Sequence, residues 1–333
     1  MEHLVFGAGL IGGYLGAALM VSERRVGWVV RAKTQQKLSN GLRITDYQDN
    51  DKRVENLHFI DVNAASVDEP PKVLWLTIKC TALKAAIDDV RSVIGPETLI
   101  VCLQNGLGAE AYMQSQFPNH TVIRGVMGAN VAELAEDHLH RGTLGGIDLP
   151  RRPETEALQA SFQFEGLSLS LYDNLEGLLW AKLQLNLNNP LNALSNIPLK
   201  DELEQRDFRR ILAAAMDELI LVAQQKGIEL PKLTALPPAL IPKLMRLPNW
   251  LFVRLAAKML AVDPKARSSM WSDLSNGRKS EIDFLNGAVV DEGKKLGVSC
   301  PVNQAIRELI YEVEAGREAI GFDAAELRRR LSV

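Results

Sequence analysis

Residues 4–20 read LVFGAGLIGGYLGAALM, which is a short apolar strand, a glycine-rich turn and an alanine- and leucine-rich helix in direct succession. The spacing Gly7-x-Gly9-x-x-Gly12 in that setting is typical of the first βαβ unit of a Rossmann domain. We expect Gly7 to permit the turn, Gly9 to let a pyrophosphate approach the backbone, and Gly12 to let the helix pack on the strand. The predicted dinucleotide-binding loop comprises Gly7, Ala8, Gly9, Leu10, Ile11 and Gly12. A glycine-rich turn without a ligand is the alternative.

The second strand of this unit, predicted at residues 25–30, ends at Arg31, and Lys33 follows closely. NAD-binding domains normally carry an acidic residue at this point, about 20 residues beyond the glycines, to hold the ribose hydroxyls. An arginine suits a 2′-phosphate instead, because its planar guanidinium can donate two parallel hydrogen bonds to phosphate oxygens. The cofactor is therefore predicted to be NADPH. A solvated basic turn is the alternative.

Two further apolar runs, at residues 73–78 and 99–103, have the composition of parallel strands that are covered on both faces. Lys79 directly follows the first run, and Asn105 lies two residues beyond the second. Ligands of open α/β sheets bind beyond the carboxyl ends of the strands. We therefore expect Lys79 and Asn105 to face the nicotinamide end of the cofactor.

Helical periodicity disappears between residues 121 and 149, and we expect an antiparallel meander that closes the sheet. His138 and His140 would share one face of a strand, but no third ligand lies near them in the sequence, so no metal site is predicted. A strand at residues 167–171 ends this part of the chain. The first domain is predicted to span residues 1–172.

The stretch 178–190, LLWAKLQLNLNNP, combines polar side chains with a strongly apolar helix. Lys182 and Asn186 lie one helical turn apart, and Asn189 is close to the same line, while leucines cover most of the remaining surface. A helix this apolar should be mostly buried, and a polar stripe inside a protein is costly unless its groups have partners. The stripe therefore indicates a functional site. A structural lysine paired with a carboxylate is the alternative.

The sequence also predicts where this helix starts and where it is broken. Asp173 and Glu176 have the spacing of a capping box, so the helix is predicted to start near Asn174. Pro190 lacks the N–H that would bond the Asn186 carbonyl, so the helix should kink or loosen there.

The chain beyond Asp173 is predicted to be wholly helical, which assigns residues 173–333 to a second domain. One long helix is expected from Asp201 to Lys226, ending at Gly227. A proline-rich apolar segment, 231–262, contains an expected amphipathic helix at residues 250–260 with Arg254 and Lys258 on one side. We favour a packed helix at a homodimer interface or a cleft edge, and a membrane-surface helix is the alternative.

Glu281 is expected on a helix whose apolar residues Phe284, Leu285 and Val289 bury one face. It is the acid that we expect to meet Lys182. The alternative is an exposed acid that pairs with Lys279 or Arg278.

Composition restricts the classes of partner. A formal net charge of −3 and a pI near 6.0 give no overall attraction for nucleic acid or acidic membranes. The three cysteines, Cys80, Cys102 and Cys300, show no CxxC spacing and are expected to be reduced thiols. No signal-peptide pattern opens the sequence, and the apolar run 11–20 is too short to span a bilayer. We expect a cytoplasmic protein.

In combination these residues resemble the ketopantoate reductase (2-dehydropantoate 2-reductase) family over nearly the entire chain. The resemblance rests on GAGLIGG, Arg31, Lys79, QNG at 104–106, WxKLxxN at 180–186, SSMxxD from 268 and GRxxEID ending at 283. It implies a Rossmann domain followed by an all-helical domain, an arrangement like that of 6-phosphogluconate dehydrogenase, with the active site in the cleft between them. It also implies reduction of 2-dehydropantoate by NADPH to (R)-pantoate in pantothenate and coenzyme A biosynthesis.

By motif position the resemblance implies Lys182 as general acid, with Lys79 near the cofactor. Asn105, Asn186, Ser269 and Glu281 would surround the substrate. A further family asparagine precedes a proline two turns after the lysine. Here Asn189-Pro190 comes one residue early, so Asn188 or Asn189 takes that place.

The chemistry of these residues fits a ketone reduction. Hydride addition to a 2-keto carbon leaves an alkoxide that must be protonated, and burial can lower the pKa of a lysine from about 10.4 toward the working range. Two other functions remain open. One is a related NADP-dependent dehydrogenase of a hydroxy acid or an opine. The other is a non-catalytic NADP-binding redox sensor, which would need the glycine loop and Arg31 but not Lys182.

Overall fold

The computed structural model describes residues 1–62, 69–257, 260 and 263–333. Their contacts divide the chain into two compact units, Met1–Leu175 and Glu176–Val333.

The first unit holds all the strands that the structure describes. They are β1 His3–Phe6, β2 Val26–Val29, β3 Leu42–Asp46, β4 Asp51–Val54, β5 His58–Phe59, β6 Val73–Leu76, β7 Leu99–Cys102, β8 Val122–Arg124, β9 Val126–Met127, β10 Val131–Ala135, β11 His138–Arg141, β12 Ile147–Pro150 and β13 Leu169–Tyr172. Its helices are α1 Leu10–Val21, α2 Ala32–Lys37, α3 Ile87–Val93, α4 Ala109–Gln116 and α5 Pro153–Glu156.

The main sheet is parallel, in the order β5-β2-β1-β6-β7-β8. The last residues of the central strands lie side by side, with Phe6 opposite both Val29 and Leu76. Because the strands run the same way, their carboxyl ends share one edge. This edge carries the glycine turn, Arg31, Lys79 and Asn105. The predicted Rossmann domain is confirmed.

The predicted antiparallel meander is wrong in its main feature. Strand β8 pairs parallel to β7 as the sixth strand of the main sheet. Within this segment, antiparallel pairing is limited to the hairpin of β10 with β11 and to β9 with β12. Strand β11 also pairs parallel to β3 in a separate sheet of order β10-β11-β3-β4. The reason is burial: Leu139 packs against α1, where a Cβ on Gly13 would lie 2.7 Å from its Cδ1. The hairpin therefore covers a helix instead of extending the main sheet.

The second unit is helical throughout its described residues. Its helices are α6 Leu175–Asn186, which starts at the last residue of the first unit, α7 Asn188–Ser195, α8 Leu199–Glu204, α9 Arg206–Gln225, α10 Ile241–Met245, α11 Asn249–Leu255, α12 Ser269–Ser275, α13 Asn286–Leu296, α14 Pro301–Glu314 and α15 Ala324–Arg330. The prediction of a Rossmann domain followed by a helical domain is confirmed.

The long helix expected at residues 201–226 is two helices. The backbone of Gln205 is extended, with φ −94° and ψ 116°, and it separates α8 from α9. Arg209 compensates for the break, because its Nη1 donates to the Leu203 carbonyl at 2.7 Å. The expected stop at Gly227 is confirmed, with φ +75° as a glycine C-cap allows.

Arg209 also organises the proline-rich segment. Its guanidinium is fully buried, donates to the carbonyls of Met245 and Leu247, and lies 4.0 Å from the centroid of the Phe252 ring. The amphipathic helix expected at 250–260 is the shorter α11. Lys258, which was placed on its basic side, lies outside the described residues. Within the described ranges, no helix has the length and apolarity needed to cross a bilayer.

Candidate functional site

The glycine turn after β1 has the geometry that a pyrophosphate requires. Gly7 adopts φ +103°, and a Cβ there would lie 2.6 Å from Ile78 Cγ2. A Cβ on Gly12 would lie 2.0 Å from the Gly7 carbonyl oxygen, so α1 starts in direct contact with the turn. A Cβ on Gly9 would meet no described atom within 4 Å. Space therefore remains open beside the N-terminal N–H groups of α1, where an anion can bind.

Thr77 holds this turn in place. Its hydroxyl lies 2.5 Å from the Gly7 carbonyl oxygen and 3.1 Å from that of Phe6, so it can donate to either. Its Oγ1 would also lie 2.3 Å from a Cβ on Gly12. Sequence reasoning missed Thr77, because a residue beyond β6 gives no signal that it contacts the loop after β1.

Arg31 lies at the carboxyl edge of the main sheet, as expected, and its contact with a 2′-phosphate stays a prediction. It is the N-cap of α2, directly beyond the carboxyl end of β2, and its side chain is exposed. No carboxylate of the described residues lies within 4.0 Å of its guanidinium, and the same holds for Lys33. Two cations therefore stand uncompensated at this edge, which fits a phosphate ligand.

Asn105 is exposed at the same edge, and neighbouring buried side chains hold the backbone of its loop. Buried Arg124, at the end of β8, donates from Nη2 to the carbonyls of Gln104 and Gly106, on either side of Asn105. The thiol of Cys80 lies 3.5 Å from the Asn105 carbonyl oxygen. Arg124 and Cys80 therefore position Asn105, and neither contact was predicted from the sequence.

Gln104 links the two strand ends. Its Nε2 donates to the carbonyls of Leu76 at 3.0 Å and Ile78 at 3.2 Å, so the ends of β6 and β7 are joined by one buried side chain. Lys79 follows Ile78 and is exposed at the start of a 3₁₀ turn, Cys80–Ala82. Its expected place at the carboxyl edge of the sheet is confirmed. Its role toward a cofactor stays a prediction.

The break expected in the lysine helix is present. α6 ends at Asn186 and α7 starts at Asn188, with Leu187 between them, which is where Pro190 removes the hydrogen bond to the Asn186 carbonyl. Lys182, Asn186 and Asn189 lie along one side of this broken helix. All three are partly exposed.

The prediction that this polar stripe is buried inside the protein is wrong. Trp180, Ala181, Leu183 and Gln184 form the buried side of α6, whereas the stripe is on the more accessible side. The reason is that the largest side chain, Trp180, packs inward, and residues two apart on a helix point in nearly opposite directions, which turns Lys182 outward. A partly accessible amine and two amides can contact a small ligand.

Ser269 is the first residue of α12 and is exposed. Its neighbour Ser268 caps the helix, accepting from the Trp271 N–H at 3.1 Å, and its Oγ lies 2.9 Å from the Asn189 carbonyl oxygen. The structure therefore links the backbones of two predicted substrate-binding residues, Asn189 and Ser269, through a single serine. Ser268 was not among the predicted site residues.

The placement of Glu281 on one helix with Phe284, Leu285 and Val289 is wrong. It precedes the 3₁₀ turn Ile282–Phe284, and α13 starts only at Asn286. The break is at Leu285, whose φ of −107° and ψ of −100° are not helical, while Glu314 of α14 fixes the residue before Glu281 by accepting from both the N–H and the hydroxyl of Ser280 at 2.7 Å. Glu281 is half-buried there. That its carboxylate meets the Lys182 ammonium stays a prediction.

His138 and His140 lie on one face of β11, as expected from their alternation. Both rings contact the Thr45 hydroxyl, with Nε2 of His138 at 2.8 Å and Nδ1 of His140 at 2.9 Å. No group of three or more metal-ligating side chains with suitable geometry occurs among the described residues.

Two family models match the chain. The model described as "Ketopantoate reductase PanE/ApbA" matches residues 3–154, and "Ketopantoate reductase PanE/ApbA C terminal" matches residues 174–314. A 2-dehydropantoate 2-reductase of Archaeoglobus fulgidus is 26% identical over 320 residues, which are 94% of this chain and 97% of that protein.

Solved structures agree with the family models. A PanE/ApbA family ketopantoate reductase from Ralstonia eutropha JMP134 has a TM-score of 0.79 at 25% identity, over 95% of this chain and 99% of the other. A D-mandelate dehydrogenase, solved with NADH and anilino(oxo)acetate, has a TM-score of 0.76 at 23% identity with the same coverage, and shares the fold. The two family matches together extend over most of the sequence, and the chain belongs to the ketopantoate reductase family of oxidoreductases.

Proposed function

We propose that this protein reduces a 2-keto acid to a 2-hydroxy acid with NADPH, and that its substrate is 2-dehydropantoate, which becomes (R)-pantoate on the way to pantothenate and coenzyme A. The observation that carries this proposal is the side of the broken helix α6–α7 that bears Lys182, Asn186 and Asn189, in a chain of this family. The name of the Archaeoglobus relative supports the choice of substrate.

The first unit supplies the cofactor-binding residues. The N-terminal N–H groups of α1 and the open space at Gly9 suit the pyrophosphate, and Arg31 suits the 2′-phosphate. Lys79 and Asn105 lie at the carboxyl edge, where the nicotinamide end is expected. When bound, the nicotinamide supplies the hydride.

The second unit supplies the proton and the substrate contacts. Lys182 donates its proton to the oxygen of the keto group as hydride arrives at carbon, so negative charge does not accumulate on that oxygen. Asn186, Asn189 and Ser269 donate hydrogen bonds to the carboxylate and hydroxyl of the substrate. Glu281 holds the Lys182 ammonium or accepts from the substrate hydroxyl.

The test is NADPH oxidation followed by absorbance, with 2-dehydropantoate as substrate and 2-ketoisovalerate as matched control. The control compound has the same 2-keto acid group and the same two C3 methyl groups, but carries a hydrogen at C3 in place of the hydroxymethyl group. We expect turnover of 2-dehydropantoate and a value of kcat/KM for the control that is lower by roughly 10⁴-fold, because a site built to bind a hydroxyl leaves its polar groups unpaired with the analogue.

Three outcomes count against the proposal, each in a different way. Faster reduction of the control, or of another 2-keto acid or an imine, would reassign the protein to a related hydroxy acid or opine-type dehydrogenase. Equal rates of reduction with NADH and NADPH would refute the proposed binding of the 2′-phosphate by Arg31. Tight binding of NADPH without turnover of any substrate would favour the redox sensor.

A further inference from the structure

Glu202 is a buried carboxyl group that the proposed chemistry does not use. It lies on α8 and is 1% exposed. The Asn192 side chain donates from Nδ2 to its Oε2 at 2.7 Å. Buried acids are rare unless a cation compensates them, so a buried carboxyl held by an amide needs a reason.

Among the residues that the structure describes, no cation forms an ion pair with this carboxyl group. On α8 itself, Asp201 is exposed, and Lys200 lies 4.0 Å from Glu204. On α9, the guanidinium of Arg209 donates its hydrogen bonds to backbone carbonyls and not to Glu202. Arg254 on α11 is exposed, and Arg267, in the segment before α12, stacks on Trp271. Helix α7 carries no charged side chain.

Asn192 connects Glu202 to the proposed substrate-binding residues. It is fully buried on α7. While its Nδ2 donates to Glu202, its Oδ1 accepts from the backbone N–H of Ser268 at 2.7 Å. Ser268 in turn bonds the Asn189 carbonyl and precedes Ser269. Helices α8, α7 and α12 are therefore joined by an unbroken series of hydrogen bonds.

We propose that Glu202 is a positioning residue, which fixes Asn189 and Ser269 relative to one another through Asn192 and Ser268. This rests on the proposed function, in which Asn189 and Ser269 contact the 2-keto acid. Glu202 itself touches neither substrate nor cofactor in this account.

The protonation state of Glu202 decides whether this series stays intact. Burial raises the pKa of Glu202 to about 8, so the group is a neutral acid below that pH. Glu202 Oε1 and Asn188 Oδ1 are both buried acceptors without a hydrogen-bond partner among the described residues. The acid can donate a proton to an acceptor, whereas the carboxylate cannot. Ionisation therefore adds a buried charge and should loosen α7 against α8 and α12.

The kinetic test compares the wild type with Glu202→Gln, since glutamine is a neutral mimic of the acid. We expect the KM for 2-dehydropantoate of the wild type to rise about two- to tenfold between pH 6.5 and 9.5. A change of this size corresponds to the net contribution of one hydrogen bond to binding. In the Glu202→Gln variant, the KM for 2-dehydropantoate should not rise in this way. The KM for NADPH should be the same in the variant and the wild type. Glu204→Gln, on the same helix, is the control and should follow the wild type. Superimposable profiles for Glu202→Gln and the wild type would overturn the proposal.

A second readout does not depend on activity. Trp271 lies in the first turn of α12, with its N–H on Ser268 Oγ and its Nε1 2.7 Å from Asn196 Oδ1. We expect its fluorescence, isolated by subtracting Trp271→Phe, to change near pH 8 in the wild type and to stay constant in Glu202→Gln. No transition in the wild type, or the same one in Glu202→Gln, would overturn the link. A transition without turnover of 2-dehydropantoate would instead refute the proposed substrate alone.

Discussion

Two glycines of the cofactor loop should respond differently to the same substitution. At Gly12, an alanine Cβ would lie 2.0 Å from the Gly7 carbonyl oxygen and 2.3 Å from Thr77 Oγ1. Neither contact is tolerable, so α1 must move off the turn. At Gly9, the Cβ meets nothing within 4 Å, and φ −75° with ψ −161° is open to any residue.

The magnitudes follow from these contacts. In Gly12→Ala, overpacking costs about 1–3 kcal/mol, and the higher helix propensity of alanine returns less than about 1 kcal/mol. Gly9→Ala should change the free energy of unfolding by less than about 0.5 kcal/mol, because a small loss at the N-cap offsets the reduced entropy of the unfolded chain. Its methyl group would stand where the pyrophosphate approaches, so we expect NADPH affinity to fall by roughly tenfold or more.

The assay pairs urea denaturation with NADPH titration followed by fluorescence. Gly9→Ala should unfold at the wild-type urea concentration but bind NADPH weakly, whereas Gly12→Ala should unfold earlier and also bind weakly. Undiminished NADPH binding by Gly9→Ala would refute the assignment of this loop to the cofactor. Equal stability of the two variants would refute the packing argument.

Three other predictions concern charge. Burial raises the pKa of Glu202 from 4.5 to about 8, so the folded protein keeps a proton that the unfolded chain releases. The free energy of unfolding should therefore fall by about 1.4 kcal/mol per pH unit across this range, and Glu202→Gln should remove that slope in urea titrations from pH 5.5 to 7.5. Parallel wild-type and variant curves would contradict this. Arg31→Glu should raise KM for NADPH by about 10- to 100-fold and leave KM for NADH nearly unchanged. An equal rise in KM for both cofactors would refute the contact between Arg31 and the 2′-phosphate. Glu218 accepts from the backbone N–H groups of Val302 and Asn303 at the start of α14, so Glu218→Ala should cost about 2–3 kcal/mol in urea denaturation, and a loss near zero would contradict that cap.

The sequence predicted the features that depend on local backbone chemistry. The glycine spacing, the position of Arg31 after β2 and the break before Pro190 each follow from a few adjacent residues, and the structure has all three elements where they were expected. Whether Arg31 and the stripe residues act as predicted stays open to the assays above.

The errors arise where distant segments decide the conformation. A strand as short as the three residues of β8 looks the same in sequence whether it pairs parallel or antiparallel, so only its contacts with β7 settle the pairing. The residue before Glu281 is fixed by Glu314 of α14, which no periodicity reveals. The same limit hid Arg124, whose guanidinium reaches the loop of Asn105 from another strand.

The most direct test of the central claim, that Lys182 is the proton donor of a 2-dehydropantoate reductase, is steady-state turnover by Lys182→Ala with NADPH binding measured in parallel. We expect kcat to fall by roughly 10²–10⁴-fold while the Kd for NADPH stays within about twofold of the wild type. An alanine variant that reduces 2-dehydropantoate as fast as the wild type would contradict the account.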